Sequence, residues 1–182
     1  MLSAHDLAAN QLLAPEAPIG GARIRVLCLG NDLLGDDALG SVVAEHLRKF
    51  ALEGVEVVST TDTGFYLFDY VSNTSCLIVI DTVVTGAGAP GTIYVLEESD
   101  FRTAPGGSPH YIGLQETLAL VRALDFQVPE TVVALAVEAA DCSTLGGAMH
   151  PAVCAAIPVL LDKVRETIET LKLPLGRTKA AV

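Results

Sequence analysis

At 182 residues, 51% of them hydrophobic, the chain has the size of one domain with a substantial core. A formal net charge of −11, without any cluster of lysines or arginines, argues against nucleic acids and anionic membrane surfaces as partners. No apolar run reaches the ~18–20 residues that a membrane-spanning helix needs. The four cysteines form no C-x-x-C pair, which favours reduced thiols in a cytoplasmic protein over a zinc site.

The chain is predicted to hold a single domain between two short ends. Residues 1–22 lack the basic and long apolar segments of a signal peptide and are expected to form a flexible N-terminal arm. The α/β domain is predicted over residues 23–172, and residues 173–182 are expected to be a flexible C-terminal tail.

Strand and helix patterns alternate along this domain. Short apolar runs predict strands over residues 23–30, 54–60, 75–84, 92–97 and 131–139. Helical spacing predicts a first helix capped by Asp36 or Asp37, and further helices over residues 65–72, 111–124 and 150–171. This order predicts an α/β three-layer sandwich, with a mainly parallel twisted sheet of about five strands flanked by helices.

Several polar residues follow the predicted strands. Ligands bind at the carboxyl ends of the strands in open α/β sheets, so we expect these residues to line one rim. They are Asn31, Asp36 and Asp37 after the first strand, Asp62 after the second, Asp81 at the end of the third, and His110 before a later helix.

Three of these residues could form a metal-contacting set. The carboxylates of Asp37 and Asp81 with the imidazole of His110 give two oxygens and one nitrogen, which suit nickel, zinc or iron(II) better than calcium or magnesium. A helix dipole would keep the Asp37 carboxylate ionised. Each residue also has an ordinary structural interpretation, because aspartates often cap helices and a histidine can pack at a helix start.

Other catalytic patterns are absent from the sequence. The segment "GNDLLGDDALG" (30–40) lacks the G-x-G-x-x-G spacing of a dinucleotide loop, and neither a P-loop nor a G-x-S-x-G elbow occurs. No base in the sequence pattern accompanies Cys142 as it would in a thiol enzyme.

Three segments together resemble the nickel–iron hydrogenase maturation endopeptidases, which process the C-terminus of the hydrogenase large subunit. They are "CLGNDLLGDDALGSVVAEHL" (28–47), "LIVIDTVVTGAGAPGTIYVL" (77–96) and "SPHYIGLQETLALVRAL" (108–124). The order and spacing of the segments agree with that family from about Arg23 to about Leu171.

The resemblance implies a specific activity and partner. Asp37, Asp81 and His110 are implied to contact nickel already loaded in the large-subunit precursor and to act in catalysis. The enzyme would then remove a short C-terminal extension from that precursor. Nickel is expected to arrive with the substrate, with zinc or cadmium as possible substitutes, and we expect a monomer.

The resemblance also singles out loop residues and shows departures. Asn31, Asp36, Asp62 and Gly64 are candidates for the loops that contact substrate. The family usually carries D-G-G-T where this chain has "DTGF" (62–65). Many relatives have glutamate at the position of Asp37 or glycine at the position of Ala38.

Two other functions remain open at this point. One is a non-catalytic chaperone that checks the large subunit for nickel with the same residues. The other is a metal-dependent hydrolase of small molecules. The sequence leaves open whether nickel takes part in the cleavage or serves only as a recognition mark.

Overall fold

The computed structural model describes residues 24–101 and 109–173, and for residues 109–112 it describes the backbone alone. Its strands are β1 (Ile24–Leu29), β2 (Val55–Thr60), β3 (Cys76–Val83), β4 (Ile93–Glu97) and β5 (Thr131–Glu138). Its α-helices are α1 (Leu39–Arg48), α2 (Phe68–Val71), α3 (Pro109–Ala123) and α4 (Pro151–Lys172). Turns of 3-10 helix cover Gly35–Ala38, Gly64–Leu67 and Glu98–Asp100.

The strands form one sheet in the order β2-β1-β3-β5-β4. The first four run parallel, and β4 runs antiparallel along β5. Cys76 at the start of β3 is paired with Ile24 of β1 on one side and Thr131 of β5 on the other. The predicted α/β class, with a mainly parallel sheet of five strands, is confirmed.

Two apolar layers cover the sheet. Every residue of β3 is buried, as expected for a central strand covered on both faces. Ile78 and Ile80 of β3 pack with α1 and α4, and Leu77 and Val79 pack with α2 and α3. The sheet is therefore the middle layer of the predicted sandwich, and the loops at its carboxyl edge are held by a close-packed core on either face.

The predicted helix over residues 65–72 is observed over residues 64–71, its first half as 3-10 helix. The chain forms the 3-10 turn and then only the single turn of α2, because Ser72 takes extended angles of φ −80° and ψ 157°. Arg25 of β1 is buried, and its guanidinium Nη1 donates to the carbonyl oxygens of Tyr70 at 2.5 Å and Ser72 at 3.1 Å. These carbonyls are thus satisfied without a longer helix.

The ends of the chain were predicted as an arm and a tail, and residues 1–23 and 174–182 lie outside the described part. Among the described helices, none has the length and apolar character needed to cross a membrane. Cys28 and Cys76 are buried, whereas Cys142 is half-buried and Cys154 is exposed.

Candidate functional site

The loop after β1 brings the backbone of Asp37 against the end of the strand. Gly30 has a φ of +138°, and a Cβ at this position would lie 2.2 Å from the carbonyl oxygen of Asp37. Only glycine fits both conditions. The close approach places Asp37 at the carboxyl edge of the sheet, in the 3-10 turn that leads into α1.

Asp37 is held from two sides. Its Oδ2 accepts a hydrogen bond from the backbone N–H of Asn31 at 2.9 Å, and its Oδ1 accepts one from the hydroxyl of Thr82 at 2.9 Å. Neither Asp36 nor Asp37 makes a side-chain cap of the first helix, so that prediction is wrong. The carboxylates are instead used for contacts with other loops.

Asp81 is linked to Asp37 by Thr82, which donates a hydrogen bond to each of the two carboxylates. Asp81 is fully buried in β3, and its Oδ1 accepts a hydrogen bond from the backbone N–H of Thr82 at 2.8 Å. Thr82 therefore donates its N–H to one predicted metal-contacting carboxylate and its O–H to the other. The carboxylates of Asp37 and Asp81 thus share Thr82 as a hydrogen-bond donor, and their contact with a metal stays a prediction. Thr82 was missed, although its position directly after Asp81 was the available signal.

Asp36 connects three parts of the chain. Its carboxylate accepts hydrogen bonds from the backbone N–H groups of Ala140 at 2.7 Å, Asp141 at 3.0 Å and His150 at 2.5 Å. With 1% of its surface exposed, Asp36 holds the loop after β5 and the start of α4 against the Asp37 turn.

Asn31, Asp62 and Gly64 shape the neighbouring loops. The side-chain oxygen of Asn31 accepts a hydrogen bond from the N–H of Leu33 at 3.0 Å. The carboxylate of Asp62 accepts hydrogen bonds from the hydroxyls of Thr60 at 2.9 Å and Tyr70 at 3.0 Å. Asp62 thereby fixes the path of the loop that follows β2.

The 3-10 turn that begins at Gly64 rests on α3. Gly64 has a φ of +58°, and its carbonyl accepts a hydrogen bond from the Thr117 hydroxyl at 2.8 Å. A Cβ on Gly113 would lie 2.8 Å from the Gly64 Cα, so the two backbones are in direct contact. Next to this contact, Phe65 is 64% exposed and Tyr66 is 79% exposed.

His110 lies in the first turn of α3, and its side chain is outside the part of the chain that the structure describes. Among the described residues, no three His, Cys, Asp or Glu side chains are close enough to hold a metal ion. The described part thus contributes two carboxylates of the predicted set, and the contribution of His110 stays a prediction.

Cys142 approaches the same cluster from the loop after β5. Its Sγ lies 3.5 Å from the hydroxyl oxygen of Thr82. Burial, together with the nearby carboxylates of Asp37, Asp36 and Asp81 and against the lowering effect of the Thr82 hydrogen bond, raises the pKa of this thiol to about 11. The thiol is protonated at neutral pH, which makes it a poor nucleophile.

A buried glutamate at the end of β5 was not singled out from the sequence. Glu138 is 2% exposed, and its carboxylate accepts hydrogen bonds from the N–H groups of Thr85 and Gly86 and from the Tyr94 hydroxyl. It fixes the loop that follows β3. Its position in an apolar strand was the one available signal.

Comparisons with known proteins agree with this fold and loop arrangement. A family model described as hydrogenase maturation protease matches residues 41–167. The chain belongs to the hydrogenase maturation protease family. It is therefore a protease, a hydrolase of peptide bonds.

Individual members of the family are similar over most of the chain. The hydrogenase expression/formation protein HupM of Azotobacter chroococcum is 32% identical over 179 residues, covering 86% of this chain and 85% of HupM. The hydrogenase 2 maturation protease of Escherichia coli is 34% identical over 104 residues, covering 55% of this chain and 63% of that protein. The structure of the hydrogenase maturating endopeptidase HybD from E. coli superposes with a TM-score of 0.71 at 28% identity, covering 81% of this chain and 93% of HybD.

The family match bears differently on the three predicted residues. Asp81 and His110 fall within residues 41–167, whereas Asp37 lies four residues before the match begins. A matched range gives no role to a single residue, so the roles of all three stay predictions; for Asp37 the structure adds that its carboxylate accepts a hydrogen bond from Thr82.

Proposed function

We propose that this protease removes a C-terminal extension from the nickel-loaded precursor of a nickel–iron hydrogenase large subunit. The observation that carries the proposal is the pair of carboxylates, Asp37 and Asp81, bonded to the same Thr82 at the carboxyl edge of the sheet. Membership of the hydrogenase maturation protease family supports the substrate class.

Asp37, Asp81 and His110 are the groups that would contact nickel in the bound precursor. Carboxylate oxygens and an imidazole nitrogen are suitable nickel ligands, and zinc or cadmium would be accepted by the same donors. A divalent ion polarises a carbonyl group and lowers the pKa of bound water. Nickel belongs to the substrate in this proposal, so an unloaded precursor would offer nothing for the carboxylates to contact and would be left uncut.

The turn after β2 is the proposed site of selectivity between hydrogenases. Phe65 and Tyr66 are exposed on a turn whose position is set by Gly64 and by the carboxylate of Asp62. Exposed aromatic side chains are frequent anchors in protein interfaces. Because the D-G-G-T pattern usual for the family places threonine where this chain has Phe65, this chain is expected to prefer a large subunit with an apolar patch facing the turn.

The proposal is tested by mass spectrometry of a large-subunit precursor incubated with the protein. Trimming of the nickel-loaded precursor, but not of the nickel-free precursor, is expected. The Asp37→Asn variant should not trim, while Asp125→Asn, an exposed position after α3, should trim like the unaltered protein.

Other outcomes separate the competing functions. Binding of the precursor without any trimming would favour the chaperone. Neither binding nor trimming, together with a tightly held metal found by elemental analysis, would favour the small-molecule hydrolase. We also propose that the protein acts in the cytoplasm and that it is a monomer. Light scattering of the purified protein tests the second proposal, because it measures the mass of the particle in solution.

A further inference from the structure

The loop after β5 is held rigid by two aspartates. Asp36 binds the backbone N–H groups of Ala140 and Asp141, as described above. The Asp141 carboxylate in turn accepts hydrogen bonds from the N–H groups of Ser143 at 2.8 Å and Thr144 at 3.1 Å. Hydrogen bonds from Thr144 and Ser143 hold the pKa of Asp141 well below its usual range, so the carboxylate is ionised and these contacts persist at neutral pH.

This rigid loop presents a leucine to solvent. Leu145 is 74% exposed, although its backbone forms an antiparallel bridge with Leu34. The neighbouring N–H of Gly146 donates to the carbonyl of Leu33 at 2.8 Å, and Leu33 is itself 60% exposed. Two loops at the carboxyl edge are thus joined, and each carries an apolar side chain in water.

Rigidity distinguishes Leu145 from an ordinary exposed leucine. Single exposed apolar residues are normal on protein surfaces and need no explanation. A loop that is ordered before binding, however, loses little conformational entropy when a partner covers it. Leu145 is therefore suited to contribute its apolar area to binding at low entropic cost.

The position of Leu145 relates it to the proposed site of cleavage. Cys142, three residues earlier on the same loop, lies 3.5 Å from the Thr82 hydroxyl that donates to Asp37. Within the described loops at this edge (30–38, 61–67, 84–92 and 139–149), every Asp, Glu, Lys or Arg is an aspartate. An acidic segment of a partner would be repelled here, and an apolar one would not.

We propose that Leu145 contacts an apolar side chain of the large-subunit precursor close to the bond that is cleaved. The occupant is an extended segment of the precursor without acidic side chains, which fits both the exposed leucine and the acidic surroundings. This inference rests on the proposed function and adds to it a residue that selects the sequence around the cleavage position.

The test measures KM and kcat for cleavage of the nickel-loaded precursor by mass spectrometry. Leu145→Ser is expected to raise KM about tenfold and to leave kcat within about twofold, as expected when an interaction of equal strength in the ground and transition states is lost. Leu145→Met, which keeps an apolar side chain at this position, should have a KM close to that of the unaltered protein. The matched control is Leu124→Ser, because Leu124 is 52% exposed at the end of α3, at the opposite edge of the sheet.

A reciprocal set of precursor variants completes the experiment. Replacing the apolar residues that flank the cleaved bond, one at a time, with uncharged serine should raise KM for the unaltered protease at one position. For that precursor variant, KM should rise little further with the Leu145→Ser protease, since the two changes remove the same contact. An unchanged KM in Leu145→Ser, with normal cleavage by the unaltered protein, would overturn this inference alone. Absence of cleavage by the unaltered protein would overturn the proposed function.

Discussion

The hydroxyl of Thr82 donates a hydrogen bond to the Oδ1 of Asp37 at 2.9 Å, across 45 residues of sequence. The same residue donates its N–H to Asp81. One threonine therefore fixes the orientation of both carboxylates that are proposed to contact the substrate's nickel. Groups that orient metal-contacting side chains influence metal affinity and activity without touching the metal.

Thr82→Val removes this hydroxyl while keeping the shape of the side chain. Cleavage of the nickel-loaded precursor should fall about 10- to 100-fold, as is typical when such an orienting group is lost. The free energy of unfolding should fall by only about 1 kcal/mol. Both are measured on the purified variant, by mass spectrometry of the precursor and by urea unfolding.

A matched control separates the loss of carboxylate orientation in Thr82→Val from the effect of removing any threonine hydroxyl. Thr167→Val in α4 removes a half-buried hydroxyl that donates to the carbonyl of Lys163 at 2.8 Å, far from the site. It should cleave at the normal rate. Equal activity of the two variants would argue against a positioning role for Thr82.

Glu138→Gln is expected to change the dependence of stability on pH. Burial raises the pKa of Glu138, but hydrogen bonds from Thr85, Gly86 and Tyr94 outweigh it, so the pKa lies below its usual value. The stabilisation by the carboxylate is present above the unfolded pKa of about 4.3 and is lost as the pH falls through the folded pKa.

The measurement is urea unfolding at a series of pH values from neutral to about 2.5, spanning that unfolded pKa. The unaltered protein should be more stable than Glu138→Gln by about 1–3 kcal/mol at neutral pH, and the difference should shrink in acid. Glu45→Gln, at an exposed position in α1, should follow the unaltered protein throughout. A constant difference at all pH values would contradict the assigned pKa shift.

Cys142 is expected to be chemically unreactive despite its place in the site. Since its pKa is raised to about 11, the thiol should stay protonated and react slowly with iodoacetamide at pH 8, more slowly than the exposed Cys154. Cys142→Ser should retain cleavage of the precursor. Peptide mapping after timed alkylation gives the alkylation rates of the two cysteines. Loss of cleavage activity in Cys142→Ser would instead support a mechanism in which this thiol takes part.

Gly113→Ala is expected to displace the turn that carries Phe65 and Tyr66. The new Cβ would meet the Gly64 Cα at 2.8 Å, so one backbone must move. Such overpacking costs about 1–3 kcal/mol of stability, and KM for the precursor should rise because the aromatic pair is misplaced. Glu116→Ala, at an exposed position of the same helix, serves as the control.

The fold was predictable because its strands differ sharply in pattern from its helices. The segment that became β3 is apolar throughout, and only a strand covered on both faces explains such a run in this position. The division of residues 64–71 into a 3-10 turn and the short α2 was not predicted, because the carbonyls at its end are satisfied by Arg25, a residue of another element. The hydrophobic pattern of a short segment cannot predict a contact with a residue that is distant in sequence.

The contacts around the candidate site were predictable only in part for the same reason. Asp37 and Asp81 were singled out by the rule that ligands bind at the carboxyl ends of parallel strands. The opposite roles of two adjacent aspartates do not follow from it, since Asp36 faces the loop after β5 and Asp37 faces Thr82. Neither Thr82 nor Glu138 carries a spacing signal that would reveal its partners.

The contacts of Asp36 also set an order of events when the chain is made. Its carboxylate is satisfied by N–H groups at Ala140 and His150, which lie 104 and 114 residues further along the chain. A nascent chain that has just completed β1 and α1 holds an aspartate with none of these partners. The Asp37 turn can therefore reach its final contacts only after β5 and the start of α4 have been synthesised and docked.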